Sequence, residues 1–196
     1  MAKTFYINYY DDIQPGKIKA LMMGIGQMLN PIRMMNMPPP PEKPDELYFA
    51  FSSPGGDVDA GITLYNFLKG LPCNITMHNI GSIASIANVV FMAGKKRYAS
   101  HGTSFHYHGV AGGMRKDQSV TVAHLQEMLS GFQQSENRIA KILISECGLT
   151  TEEIEARFRQ GKSEDVDFAL SKGIIHEIRD FRIPDGEQFV SLNLPG

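Results

Sequence analysis

The amino-acid sequence predicts an α/β fold built on a largely parallel sheet. Segments rich in β-branched and aromatic residues alternate along the chain with segments whose apolar residues recur every three to four positions. Such alternation favours parallel strands joined by right-handed helical crossovers. The chain has 196 residues, of which 42% are hydrophobic, and this is enough for one domain with a sizeable core.

The composition narrows the classes of function. A formal net charge of −2 does not favour nucleic acid as a partner, and no apolar run is long enough to span a membrane. The first residues lack the apolar core of a secretory signal. The only two cysteines, Cys73 and Cys147, indicate free thiols in a reducing compartment rather than a disulfide scaffold. We therefore expect a cytoplasmic protein.

The first elements are a strand, a helix and a proline-rich loop. Lys3–Asn8 has the composition of a strand, and Pro15 suits the first turn of a helix whose apolar stripe continues to Leu29. Asn30–Pro44 contains four consecutive prolines, which exclude a helix or a sheet interior. This segment is therefore expected to be an extended loop within the domain.

Strand and helix patterns continue through the middle of the chain. Glu46–Ser52 is a predicted strand, and after a glycine pair a helix is expected at Asp57–Leu71. Asn74–Ile80 is the next predicted strand. The stretch Gly81–Gly94 is apolar almost to its closing glycine, so it predicts a buried helix, followed by a turn at Lys95–Arg97.

The remaining pattern is a strand followed mainly by helices. Thr103–His108 is a predicted strand, and a long helix is expected from about Val120 to Cys147. Thr150 and Glu153 form a capping-box pattern for another helix. The last predicted elements are a turn at Gly161–Ser163, a helix at Val166–Lys172, a strand at Ile174–Ile178 and a peripheral tail after Arg182.

The glycine pair lies between a strand and a helix, in the segment Ser52–Gly61. Glycines there let a ligand approach main-chain N–H groups. Carboxylates at Asp57 and Asp59 would repel a phosphate, so a neutral or transiently anionic oxygen is the better guest. The alternative is a tight turn with no further role.

Two serines occur three positions apart where a strand gives way to the apolar stretch. Ser82 resembles a helix cap, and Ser85 would lie one turn into the helix. Either could be only a packing residue. As a nucleophile, Ser85 would need a base and hydrogen-bond donors for an oxyanion. The N–H groups of Ile86 and Gly56 are candidate donors.

The candidate bases are His101, His106 and His108. The last two point to the same side of a strand, so they could bind a metal ion, but no carboxylate lies close by in the sequence. No metal or other cofactor is therefore expected. His108 is the favoured base because it ends its strand, and parallel strand ends gather at a binding face.

These motifs together resemble the peptidase subunit of the Clp protease family, within the ClpP/crotonase superfamily. The segments that carry the resemblance are, in order, "SPGGDVDAG", "GSIASIA", "FHYHGVAGG", "GLTTEEIEARF" and "FALSKGII". It spans about Glu46 to Ile178. The second segment departs from the family pattern because Ile86 and Ala87 stand where methionine and glycine are usual.

The resemblance implies a fold of repeated β-β-α units with a protruding handle helix at 118–147. It implies one peptidase domain at 1–182, with 183–196 as a tail, and stacked homo-oligomeric rings. Ser85 would be the nucleophile, His108 the general base, and the N–H groups of Gly56 and Ile86 the oxyanion hole. Substrates would be peptides or unfolded proteins.

The third member of the catalytic triad is a departure from the family. Gly161 stands at the position of the family's carboxylate, so a nearby acidic residue would have to substitute. Glu164, Asp165 and Asp167 are the candidates, and Asp165 is our prediction. Without an orienting carboxylate, a weakened Ser–His pair remains.

Three functions follow as hypotheses. The first is a serine endopeptidase acting inside an oligomeric chamber, and the second is a catalytically silent subunit of such a ring, motivated by Gly161. A crotonase-like acyl-CoA enzyme is the third, although it has no obvious use for Ser85. The family also implies an AAA+ unfoldase partner, but the long Pro38–Pro44 loop and the short segment before the first strand argue against dependence on one.

Overall fold

The computed structural model describes residues 3–29, 44–113 and 119–190, so the predicted proline loop lies almost wholly outside the described residues. In these ranges the chain forms eight strands and six helices. The strands are β1 (Thr4–Tyr10), β2 (Glu46–Ser53), β3 (Asn74–Ala84), β4 (Lys96–Ala99), β5 (Ser104–His106), β6 (Ser163–Glu164), β7 (Glu177–Ile178) and β8 (Gln188–Val190). The helices are α1 (Pro15–Leu29), α2 (Val58–Lys69), α3 (Ala87–Phe91), α4 (Val122–Glu146), α5 (Thr151–Gln160) and α6 (Val166–Ser171).

A single, mostly parallel sheet organises the molecule. Its order is β6-β5-β3-β2-β1-β8, with β4 beside β3 and β7 beside β4. Among these pairs only β5 and β6 are antiparallel. β3 has two partners on one side, because its first half pairs with β4 and its second half with β5. The parallel-rich α/β fold is therefore confirmed.

The core explains why the central strands are so apolar. β2 is buried from Leu47 to Ser53, as expected for a parallel strand covered on both faces. The helices α1 and α2 present buried apolar stripes that include Ile18, Leu21 and Leu64. This packing holds the carboxyl ends of β2, β3 and β5 close together, where the candidate residues lie.

The stretch Gly81–Gly94 differs from the helix that its composition predicts. Gly81–Ala84 continues β3, and the helix is confined to Ala87–Phe91. Pairing of Ser82–Ala84 with β5 satisfies the backbone as a strand, so tertiary pairing overrides local propensity. Ser82 is therefore a strand residue and not a helix cap.

Several further corrections concern strands. Lys96 begins β4 where a turn was expected, and the last predicted strand shortens to Glu177–Ile178. Gln188–Val190, in the predicted tail, pairs in parallel with β1. These strands are only two to four residues long, so their sequence signals are weak.

The ends of the longer helices follow ordinary capping rules. The predicted capping box of α5 is confirmed: Thr150 Oγ1 accepts the Glu153 N–H at 3.2 Å, and Glu153 Oε2 accepts the Thr150 N–H at 3.0 Å. The Thr121 hydroxyl caps α4 by accepting the His124 N–H. Gly161 ends α5 in the left-handed conformation.

Candidate active site

Ser85 lies at the junction between β3 and α3, where the backbone is strained. Its φ is +56°, and it is the only non-glycine residue of the described ranges with a positive φ. The sequence pattern predicts Ser85 one turn inside a helix, and the longer β3 corrects this. A left-handed serine costs about 1–2 kcal/mol. Strained strand-to-helix turns of this kind present a nucleophile outward, and the Ser85 side chain is partly exposed.

Asn88 fixes this junction against β5. Its Nδ2 donates to the Ser85 carbonyl at 3.0 Å and to the His106 carbonyl at 2.9 Å, while the Ser85 N–H donates to the same His106 carbonyl at 3.0 Å. Asn88 is not among the site residues predicted from the sequence. A lone, fully buried amide in an otherwise apolar stretch was the available signal.

Gly55 of the glycine pair contacts the junction directly, and Gly56 contacts Ile13. A Cβ on Gly55 would lie 2.7 Å from both the Ser85 Cβ and the Ala84 carbonyl oxygen. A Cβ on Gly56 would overlap the Ile13 carbonyl oxygen. Both glycines also have positive φ values, of 91° and 151°. Only residues without side chains allow the turn to approach Ser85 this closely.

Two main-chain donors near Ser85 are available to a ligand. Neither the Gly56 N–H nor the Ile86 N–H donates a hydrogen bond to another residue of the described ranges. The two segments are adjacent, because a Cβ on Gly55 would lie 3.4 Å from the Ile86 nitrogen. Such a pair of unused N–H groups suits a developing oxyanion.

His106 and His108 have different partners. His106 Nδ1 lies 2.8 Å from the Ser163 hydroxyl, and His108 Nδ1 lies 2.7 Å from the Gly109 carbonyl oxygen. A carbonyl can only accept, so His108 carries its proton on Nδ1 and Nε2 is left as the basic nitrogen. No hydrogen bond joins the Ser85 hydroxyl to either ring among the described residues, and such contacts commonly tighten only with substrate.

None of the three candidate carboxylates forms a hydrogen bond with His108. Asp165 caps α6, where its Oδ1 accepts the Phe168 N–H at 2.8 Å. Glu164 is buried and lies 2.7 Å from the Arg157 guanidinium. Asp167 is exposed in the first turn of α6. The predicted contact from Asp165 to His108 is thus replaced by the Gly109 carbonyl, because an aspartate at a helix N-cap is held by the helix amides.

The Clp protease family model matches residues 40–182, well over half of the chain. The chain belongs to the Clp protease family. A solved structure described as the ClpP1 N165D mutant from Listeria monocytogenes superposes with a TM-score of 0.73 at 18% sequence identity, covering 90% of this chain and 92% of that one. At this identity the likeness shows the fold, and it agrees with the sheet and helices described above.

This Clp protease family member has a cavity of about 620 Å³ whose wall includes Ala84, the residue that precedes Ser85. Pro54 and His106 also line the cavity, together with Asp11 and Asp12. Its volume falls in the usual range for ligand sites.

Other reactive groups of the described residues do not converge on the site. They include no cluster of three or more histidine, cysteine or acidic side chains that could hold a metal ion. Cys73 and Cys147 are free, and burial raises the pKa of both thiols, which disfavours a thiolate nucleophile. Within the same ranges, every helix is too short or too polar to cross a membrane.

Proposed function

We propose that this Clp protease family member is a serine endopeptidase, with Ser85 as nucleophile and His108 as general base. The N–H groups of Gly56 and Ile86 would form the oxyanion hole. The observation that carries the proposal is the strained Ser85 backbone, held against Gly55 beside two N–H groups that donate no hydrogen bond within the described ranges. A packing serine would need neither the strain nor the free donors.

The first half of the reaction forms an ester. His108 Nε2 takes the proton from Ser85 Oγ as that oxygen attacks the carbonyl carbon of the peptide bond. The negative charge on the carbonyl oxygen is stabilised by the two N–H groups. The carbon–nitrogen bond then breaks, and Nε2 gives its proton to the leaving amine.

The second half regenerates the enzyme. Water gives a proton to His108 Nε2 and attacks the ester carbon, and the proton returns to Ser85 Oγ when the ester bond breaks. The Gly109 carbonyl would hold the ring during both halves. Catalysis by Asp165 stays a prediction, and its position as the cap of α6 does not support it.

Peptides or unfolded proteins are the proposed substrates, because an extended chain suits an open cavity next to the sheet. A homo-oligomer is proposed from α4, the predicted handle. Its Val122, Leu125 and Leu129 are 72%, 50% and 57% exposed and recur at helical spacing. An apolar stripe of this kind is normally covered by a partner. Independence from an AAA+ unfoldase and a cytoplasmic location stay predictions.

The silent-subunit alternative is favoured by one observation, which is that His108 has no carboxylate partner among the described residues. Steady-state hydrolysis separates the two functions. A panel of fluorogenic peptides and a reduced, unfolded protein would be incubated with the assembled wild type and with Ser85→Ala. Turnover by the wild type alone is the expected result, whereas equal rates from both proteins would overturn the proposal.

A further inference from the structure

We propose that Glu136, on α4, is a positioning residue for His108 and acts through the peptide group between Gly109 and Val110. The two ends of this peptide are hydrogen-bonded in line. The Gly109 carbonyl accepts from His108 Nδ1 at 2.7 Å, and the Val110 N–H donates to Glu136 Oε1 at 2.9 Å. This inference rests on the proposed function.

The physical basis is polarisation along a chain of hydrogen bonds. A carboxylate that accepts from the N–H of a peptide makes the carbonyl of that peptide a stronger acceptor. The negative charge of Glu136 would therefore favour the imidazolium that forms on His108 when Ser85 loses its proton. Glu136 and one peptide group together would do the work of the orienting carboxylate, whose family position is occupied by Gly161.

The surroundings favour this role. The Gly109 N–H donates to the Phe158 carbonyl at 3.1 Å, so a second element fixes the same loop. The position of a Cβ on Gly109 lies 2.8 Å from Glu136 Oε1, so only glycine leaves the carboxylate this close. Glu136 is partly buried and has no cation within 4 Å among the described ion pairs. Its charge is thus not neutralised by a direct ion pair within the described residues.

Other titratable and charged groups lie near Glu136 and His108 on neighbouring elements. Glu155 and Arg159 of α5 line a cavity of about 490 Å³ together with Glu136, and they pair with each other at 3.5 Å. The His106 ring lies 5.6 Å from the His108 ring, centroid to centroid. Glu155 therefore offers a matched control, because it carries the same charge in the same cavity but has no hydrogen bond to the His108 loop.

The test is the rate at which a fluorophosphonate labels Ser85, measured between pH 5.5 and 9 on assembled protein. Glu136→Gln keeps an oxygen that can accept the Val110 N–H but removes the charge. We expect it to slow labelling about 10-fold and to move the midpoint of the pH–rate profile down by about half a unit. Glu136→Asp should keep the wild-type midpoint, and Glu155→Gln should change neither quantity.

The possible results separate this inference from the function on which it rests. Normal labelling of the wild type and an unmoved midpoint in Glu136→Gln would overturn the inference and leave the proposed function intact, even if the rate fell. Absence of wild-type labelling would overturn both. If Glu136→Gln does not assemble, Gly109→Ala serves instead, because its methyl group would displace Glu136 Oε1 and should lower the midpoint in the same way.

Discussion

The two sides of the candidate site are built differently. Ser85 is fixed by close contacts, with Gly55 against it and Asn88 tying its carbonyl to β5. His108 is held by a single hydrogen bond to the carbonyl of the next residue. Steric contacts at this distance tolerate almost no substitution, whereas one hydrogen-bond acceptor can replace another. We therefore expect few substitutions to be tolerated around Ser85, whereas the hydrogen-bond partner of His108 can change more readily.

The largest effect is expected from substitution of His108, and the neighbouring His106 serves as the comparison. His108→Ala should slow the labelling of Ser85 by about 10³-fold, because no other group would remove the serine proton. His106→Ala should slow it by less than about 5-fold, since His106 Nδ1 is bound to Ser163 and its backbone carbonyl remains. Labelling rates from intact-mass spectrometry measure both. An equal loss in the two variants would refute the assignment of the base.

The next largest effect is expected at Gly55, which contacts Ser85, and a second glycine of positive φ serves as the comparison. Gly55→Ala should lower the free energy of unfolding by about 3 kcal/mol and abolish labelling, because its methyl group meets the Ala84 carbonyl and Ser85. Gly102→Ala has nothing within 4 Å and should cost only about 1 kcal/mol. Urea denaturation measures both values. Similar losses in the free energy of unfolding at the two positions would show that a methyl group fits between Gly55 and Ser85.

The third prediction concerns how the stability of the sheet depends on pH through a buried histidine outside the candidate site. His78 on β3 is fully buried, and burial lowers its pKa to about 4. Below pH 6.5 the unfolded chain therefore binds a proton that the folded state excludes. The free energy of unfolding therefore has its full value above pH 6.5 and decreases as the pH falls, by about 3 kcal/mol near pH 4.

Urea denaturation at pH 7 and pH 5 measures this effect in the wild type and in His78→Gln. The variant should lose most of the pH dependence over that interval. His101→Gln, at an exposed histidine, is the control and should keep it. An unchanged pH dependence in His78→Gln would assign the acid sensitivity to another group.

The smallest expected effect decides the role of Asp165. Asp165→Ala should cost about 1 kcal/mol of stability through loss of the α6 cap, while Ser85 labelling stays within about 3-fold of the wild type. Asp167→Ala, two residues later on the same helix, is the control. A loss of labelling of about 10³-fold specific to Asp165 would instead restore it as the triad carboxylate.

The sequence predicts the parts of the fold whose signals are local. The bounds of α1 match those expected, and the Thr150–Glu153 capping box is present. The end of β3 and the strand β8 were missed because each depends on a partner distant in the chain. A short apolar stretch such as Gly81–Ala84 is compatible with either structure until that partner is known.

The candidate site divides in the same way. Gly56 and Ser85 could be named as candidates from the sequence, because a tight turn favours glycine and a serine hydroxyl can act as a nucleophile. The contacts of Asn88 and Glu136 could not be predicted, because each side chain forms a hydrogen bond with the backbone of a distant segment. Spacing along the chain contains no information on such contacts. The hydrogen-bond partner of His108 could not be predicted either, because every residue has a backbone carbonyl and the sequence does not indicate which one is used.

Site-mapped labelling of the assembled wild type by a fluorophosphonate, with peptide mass spectrometry to locate the adduct, tests whether Ser85 is the nucleophile. We expect one adduct per chain on Ser85, lost in Ser85→Ala and formed about 10³-fold more slowly in His108→Ala. Ser82→Ala, at an exposed serine three residues earlier, should label normally. No adduct on Ser85, or labelling that does not depend on His108, would contradict the account.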